Sequence, residues 1–213
     1  EKPSYTYATG SSAVSLTVSF SLDMSTLPKS PFTDVVAGSW YFDAALYASS
    51  HNLMLGTSPT EFSPNITMTR GMLVTVLYRM NGSPSVSGKT PFTDVRTDEW
   101  YSAAVLWAYQ NGIVTGMSDT TFAPINNVTR EQMATILFRY TKTAAPDKAK
   151  ASADLSGFAD AGSVNDWAVD AMRWAVGQKL IAGITLEQSV YLQPRGNATR
   201  AQAATVLTRY YAQ

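Results

Sequence analysis

The 213-residue chain contains no cysteine, which removes disulfides, thiolate nucleophiles and thiolate metal sites from consideration. It contains one histidine, His51, and so no multi-histidine metal cluster. One histidine could still serve a Ser-His-Asp triad, yet no Gly-x-Ser-x-Gly turn accompanies it, and His51 reads as a surface or structural residue. Charge is scarce: Asp, Glu, Lys and Arg make up 15% of the chain, and 16 basic residues balance 16 acidic ones. A chain without net charge is poorly suited to a nucleic-acid surface built on phosphate neutralisation. No apolar run approaches the roughly eighteen residues of a transmembrane helix, so no membrane span is expected. No metal or cofactor is expected either. The chain opens at Glu1 with neither a methionine nor a signal-like apolar stretch, and reads as a mature or excised fragment.

What is present is a repeat. Pro31-Phe32-Thr33-Asp34-Val35 returns as Pro91-Phe92-Thr93-Asp94-Val95 and, weakened, as Gly157-Phe158-Ala159-Asp160. Residues 31–80 align with 91–140 without a gap and share 20 identities in 50 positions. Three copies span 31–82, 90–143 and 157–213, the third with insertions before Trp167 and Pro194. Trp40, Trp100 and Trp167 form one column, and Tyr47, Trp107 and Trp174 a second. Gly56, Gly116 and Gly183 form a third, followed by Phe62, Phe122 and Leu192, then Pro64, Pro124 and Pro194. Thr69-Arg70, Thr129-Arg130 and Thr199-Arg200 come next, and Arg79, Arg139 and Arg209 close the series.

Each copy reads as helix, loop, helix. The first helix begins near the tryptophan and is expected to end at the glycine column in a left-handed turn. The second starts at the Thr-Arg pair and carries an apolar stripe, such as Met133, Ile136, Leu137 and Tyr140, at amphipathic spacing. A two-helix unit of this size cannot bury its own stripe. The fold class is therefore mainly α, with three helix-loop-helix repeats in a pseudo-threefold arrangement around a central three-helix bundle. Linkers 81–90 and 144–156 look flexible and solvated. Residues 1–30 are an N-terminal β segment or the remnant of a preceding domain, because Val14, Leu16, Val18, Phe20 and Leu22 alternate with polar residues.

Thr69, Thr129 and Thr199 suit N-caps, and Gln132 and Gln202 complete a capping box that Met72 cannot. Arg70, Arg130 and Arg200 then stand at the first helical position, where the helix dipole disfavours a cation by about a few tenths of a kcal/mol. Arginine beside free helix N–H groups suits a carboxylate or phosphate. The competing reading pairs each arginine with Asp34, Asp94 or Asp160 of a neighbouring copy. On the first reading, Arg130→Ala weakens binding and spares the fold. The tryptophans divide similarly between core packing, the commoner fate of aromatics at helical spacing, and the border of a groove. The aspartates are expected to cap the first helix or order its preceding turn. A glycan hydrolase would need a carboxylate pair, but Asp43, Glu61, Asp98, Glu99 and Asp119 do not recur as a column.

The ordered series Phe-x-Asp-Val, Trp-Tyr or Trp-Ala, Gly, Phe-x-Pro and Thr-Arg-x-Gln resembles the bacterial S-layer homology repeat, over about 180 of the 213 residues. The resemblance implies a non-enzymatic module at the cell wall or S-layer that anchors its protein non-covalently to secondary cell-wall polysaccharide. The implied ligand is anionic, a pyruvylated N-acetylmannosamine, held in grooves between repeats by a monomeric module. Carried over to this chain, the groove residues are Arg70, Arg130, Arg200, Gln132, Gln202, Trp40, Trp100, Trp167, Gly56, Gly116 and Gly183. Met72 and Gly71 depart from the family motif in the first copy, and the loop from Ile184 to Asn197 does so in the third. The alternative is a structural or protein-binding helical assembly module without glycan binding.

Overall fold

A computed structural model describes residues 5–9, 12–16, 30–150 and 152–212. Strands β1 (Tyr5–Thr9) and β2 (Ser12–Leu16) pair antiparallel, Tyr5 opposite Leu16. Val14 and Leu16 of the alternating pattern lie in β2, while Val18, Phe20 and Leu22 fall outside the described residues. Six α-helices follow among the described residues: α1 (Phe42–Ser50), α2 (Arg70–Met80), α3 (Ser102–Gln110), α4 (Arg130–Ala144), α5 (Val169–Gly177) and α6 (Arg200–Tyr211). A small hairpin of β3 (Ile184–Leu186) and β4 (Ser189–Tyr191) occupies the longer loop of the third copy.

The second helices begin where the threonines dictate. Thr69, Thr129 and Thr199 have extended backbones, and their hydroxyls accept from the N–H groups of Met72, Gln132 and Gln202. Gln132 and Gln202 reach back to the threonine N–H groups, so two of the three helices carry the full capping box. The stripes are buried as their spacing requires, with Leu73, Leu77, Met133, Leu137, Ala203 and Leu207 all inaccessible to solvent or nearly so.

The two helices of one copy are not closest partners. Instead α2 lies against α3, α4 against α5, and α6 against α1, so each second helix packs on the first helix of the next copy. Backbone hydrogen bonds follow the same cyclic order. Met68 N–H donates to Ala198, Ala198 to Val128, and Val128 to Met68, at 2.8–2.9 Å. The loops and second helices are likewise joined: Gly71, Glu131 and Ala201 donate to the carbonyls of Pro124, Pro194 and Pro64. The third copy thus closes on the first.

Both linkers are mostly exposed, as their composition predicts, and each is also tied to the helices by hydrogen bonds. Tyr78 Oη donates to the Pro84 carbonyl and Gln110 Nε2 to that of Ser87, at 2.7 and 2.8 Å. The second linker forms a 3-10 turn, Pro146–Lys150, whose Lys148 carbonyl accepts from the Trp174 indole at 2.9 Å. Buried Trp needs such an acceptor, and the linker backbone supplies it.

Candidate functional site

The three motif arginines are neither free nor ion-paired. Each is about 5–6% exposed and reaches into the loop of the following copy. Arg70 donates through Nε to the Phe122 carbonyl (2.9 Å) and through Nη2 to that of Thr115 (3.1 Å). Arg130 makes the same pair with Leu192 and Ala182 (2.7 and 3.0 Å), and Arg200 with Phe62 and Leu55 (2.9 and 2.7 Å). Arg70 and Arg200 also lie over the Phe122 and Phe62 rings. The ion pairs among the described residues, Arg96–Asp98 and Lys150–Asp147, involve none of the three. Burial pushes all three guanidinium pKa values below the ordinary range. The Arg139 charge lowers that of Arg70 further, and Asp94, Asp160 and Asp34 of the following copies oppose the shift for Arg70, Arg130 and Arg200.

The helix N-termini are not free anion sites either. The first two N–H groups of each second helix donate to loop carbonyls of the next copy, Arg70 to Asn126 and Gly71 to Pro124 for example, and the third donates to the capping threonine. What remains for a ligand is Nη1. No buried side-chain nitrogen among the described residues lacks a partner, so the unpartnered Nη1 groups must touch solvent.

The aspartate and glycine columns have a purpose different from the one their spacing suggests. Asp94 does not cap a helix; its two oxygens accept the N–H groups of Phe122 and Ala123, at 2.8 and 2.7 Å. Asp34 holds Phe62 and Ser63, and Asp160 holds Leu192 and Gln193, in the same way. The second residue of each pair has a positive φ, 58° at Ala123, which turns two successive N–H groups onto one carboxylate. The left-handed residue after the first helix is Asn52, Gly112 or Lys179, not the glycine column. Gly116 is glycine because a Cβ there would stand 2.6 Å from the Phe92 ring and 2.7 Å from the Thr121 carbonyl. Gly56 and Gly183 are crowded against Phe32 and Phe158 in the same manner. Gly116→Ala is therefore expected to destabilise the fold by about 2–4 kcal/mol, since rigid backbone must move; urea denaturation measures it.

The tryptophan columns separate. Trp107 and Trp174 are core, whereas Trp40, Trp100 and Trp167 are 66, 60 and 54% exposed. Trp40 and Trp167 border two cavities of like composition. One, of about 310 Å³, is lined by Arg70 of the first copy, Gly116, Gln132, Thr135 and Arg139 of the second, and Trp167 of the third. The other, of about 440 Å³, is lined by Arg130 of the second copy, Gly183, Gln202, Thr205 and Arg209 of the third, and Trp40 of the first. Three copies contribute to each cavity. The residues in the corresponding positions around Arg200 are Gly56, Met72, Thr75, Arg79 and Trp100, which puts a thioether where the others have an amide.

Arg139 and Arg209 are groove residues that sequence reasoning left outside the site. Their column was visible, but Arg130 and Arg139 are nine residues apart, two and a half helical turns. They face opposite sides of α4 and serve different cavities. In the smaller cavity both guanidiniums converge on Thr115, Arg70 on its carbonyl and Arg139 Nη1 on its hydroxyl at 3.4 Å. Two cations meet there with no carboxylate between them, which leaves a local positive field in an uncharged protein.

A family profile described as S-layer homology domain matches residues 31–71, 91–134 and 157–204, the three copies in turn. The chain belongs to the S-layer homology domain family. It is 34% identical over 178 residues to an endoglucanase of Bacillus sp. (strain KSM-635), covering 84% of this chain and 18% of that protein. It is 32% identical over 154 residues to the surface-layer 125 kDa protein of Lysinibacillus sphaericus, covering 72% of this chain and 12% of that one. An amylopullulanase of Thermoanaerobacterium thermosulfurigenes is 28% identical over 83% of this chain and 9% of its own length. The chain thus spans less than a fifth of each of these relatives, and what enzymes and surface-layer proteins share here is a cell-surface anchoring module. S-layer homology domains are non-catalytic and bind the cell wall, so this chain is placed at the bacterial cell wall or S-layer. No helix among the described residues is long and apolar enough to cross a membrane.

Proposed function

We propose that the module binds secondary cell-wall polysaccharide, an anionic glycan bearing pyruvylated N-acetylmannosamine, in the grooves between its copies. The observation that carries the reading is that each cavity is lined by two arginines, Arg70 with Arg139 and Arg130 with Arg209, none of them in an ion pair, and is bordered by an exposed tryptophan. A sugar ring offers an apolar face to the indole, and its carboxylate takes the guanidinium N–H groups that the loops leave open. Arg70, Arg130 and Arg200, Gln132 and Gln202, the exposed tryptophans and the glycine column are the groove residues, joined by Arg139 and Arg209. The cyclic hydrogen bonding supports a pseudo-threefold arrangement with the second helices as a central bundle. Grooves on one rigid monomer engage a repetitive polymer together, and weak single sites become firm anchoring through effective concentration.

One observation favours the alternative of a purely structural or protein-binding module: the motif arginines are themselves ties between copies. The two readings part at the wall. Purified chain is expected to sediment with cell-wall sacculi and to lose that binding once mild acid strips the non-peptidoglycan polymer; binding indifferent to stripping would reject the glycan reading. Arg139→Gln with Arg209→Gln is expected to weaken sedimentation roughly tenfold or more, because each removes a charge-assisted contact. The melting temperature should move by only a few degrees, roughly, since each side chain makes long bonds near the surface.

A further inference from the structure

The junction between the second and third copies is built differently from the other two. Where α2 and α6 have Gly71 and Ala201 as their second residue, α4 has Glu131. Tyr41 and Tyr101 follow the exposed tryptophans of the first two copies. Their rings stand edge-on to Trp40 and Trp100, with centroids 5.3 and 5.1 Å apart. Gly71 packs close to one of these rings, since a Cβ there would lie 3.4 Å from Tyr101. In the third copy Ala168 replaces the tyrosine, and among the described residues no ring packs on Trp167.

Glu131 is 3% exposed and belongs to neither ion pair of the described residues. A carboxylate that deep needs donors, and one residue supplies two. Asn165 gives its backbone N–H to Oε2 at 3.1 Å and its Nδ2 to Oε1 at 2.6 Å. Asn165 Oδ1 accepts from Arg195 Nη2 at 3.3 Å, which keeps the amide nitrogen turned toward Glu131. The Asn165 carbonyl accepts the Ala168 N–H at 2.8 Å and so closes the 3-10 turn Asp166–Ala168, which carries Trp167. Glu131 itself is on α4, whose Gln132, Thr135 and Arg139 line the smaller cavity that Trp167 borders. The clasp ties one wall of that cavity to another.

We propose that Glu131 is a positioning residue of the smaller groove. Through Asn165 it fixes Trp167 beside α4, and so replaces the tyrosine ring that supports Trp40 and Trp100. Its effect on binding rests on the glycan reading above; the clasp does not. Glu131 does not line the cavity and acts on a ligand only through the indole. A sugar ring then meets an indole already in place and is spared the cost of ordering it.

Motion of Trp167 is read in the whole chain carrying Trp40→Phe and Trp100→Phe, where it is the exposed indole beside the core residues Trp107 and Trp174. Time-resolved anisotropy of the iodide-quenchable emission isolates it. Glu131→Ala, at a position where the third copy already has alanine, is expected to fold and to raise the fast component of the decay. Glu131→Gln keeps one acceptor and is expected to fall between; it takes over the test where the alanine variant does not fold. Binding is read by calorimetric titration of the methyl glycoside of pyruvylated N-acetylmannosamine into the Arg209→Gln chain, whose larger groove is weakened. Glu131→Ala is expected to lower affinity there about three- to tenfold, the cost of immobilising one side chain. Once Trp167 is alanine, the same substitution is expected to change affinity no further. Unchanged anisotropy in a folded variant, or an equal loss of affinity without Trp167, overturns the proposal and leaves the glycan reading standing. A wild-type chain that does not bind the sugar overturns the glycan reading, and the anisotropy still decides whether Glu131 holds Trp167.

Discussion

Removal of residues 157–213 is expected to abolish cooperative folding of the two copies that remain. The loss reaches beyond the removed copy because the copies are interlocked and not stacked. α4 loses α5 and α1 loses α6, which uncovers the apolar faces of two helices at once. The Leu55 and Phe62 carbonyls lose the Arg200 guanidinium, Met68 loses its acceptor at Ala198, and Arg130 loses both carbonyls that hold it. A linear repeat array would tolerate such a cut, since each unit contacts only its neighbours. Here the cut opens a ring. Urea denaturation followed by circular dichroism and by dye binding to exposed apolar surface measures the outcome. A truncated chain with a sharp transition and native helicity would show that the third copy is dispensable to the fold.

Arg130→Ala is expected to destabilise the protein by about 2–4 kcal/mol, reversing what its position on the helix suggests. Read from the sequence, the residue is a surface cation at an unfavourable helix end, and its loss should cost binding alone. In the fold, its guanidinium crosses to the next copy and satisfies the Leu192 carbonyl, whose residue is fully buried, and the Ala182 carbonyl nearer the surface. Alanine leaves the first without a donor and lets water reach only the second. Lysine is not a rescue, because one ammonium cannot span the two carbonyls as the planar fork does. For a chain of this size the midpoint should fall by roughly 10 °C. Equal melting of Arg130→Ala and wild type would return the arginine to a purely ligand-facing role. It follows that wall-binding assays on Arg130→Ala mix unfolding with lost contacts, and that Arg139 and Arg209 are the cleaner positions to vary.

Much of this molecule was legible from residue order alone. The three copies, their helix pairs, the threonine caps and apolar stripes of the second helices, and the family follow from periodicity and local chemistry, which act within a few turns of the chain. Thr129 and Gln132 are three residues apart, and their capping box needs nothing distant to form. The partners of Asp94, Gly116 and Arg130 lay beyond such reasoning. The Asp94 carboxylate takes amides 28 and 29 residues downstream, the Arg130 guanidinium takes carbonyls 52 and 62 residues away, and Gly116 is small because a ring from another segment presses on it. The Asp94 and Gly116 contacts form when one copy's loop folds back on its own first segment, and the Arg130 contacts form only between copies, since a buried polar group accepts whatever partner the packing brings within reach. The same holds for the grooves: an arginine from one copy, an amide and a second arginine from the next, and a tryptophan from the third meet only when the ring closes.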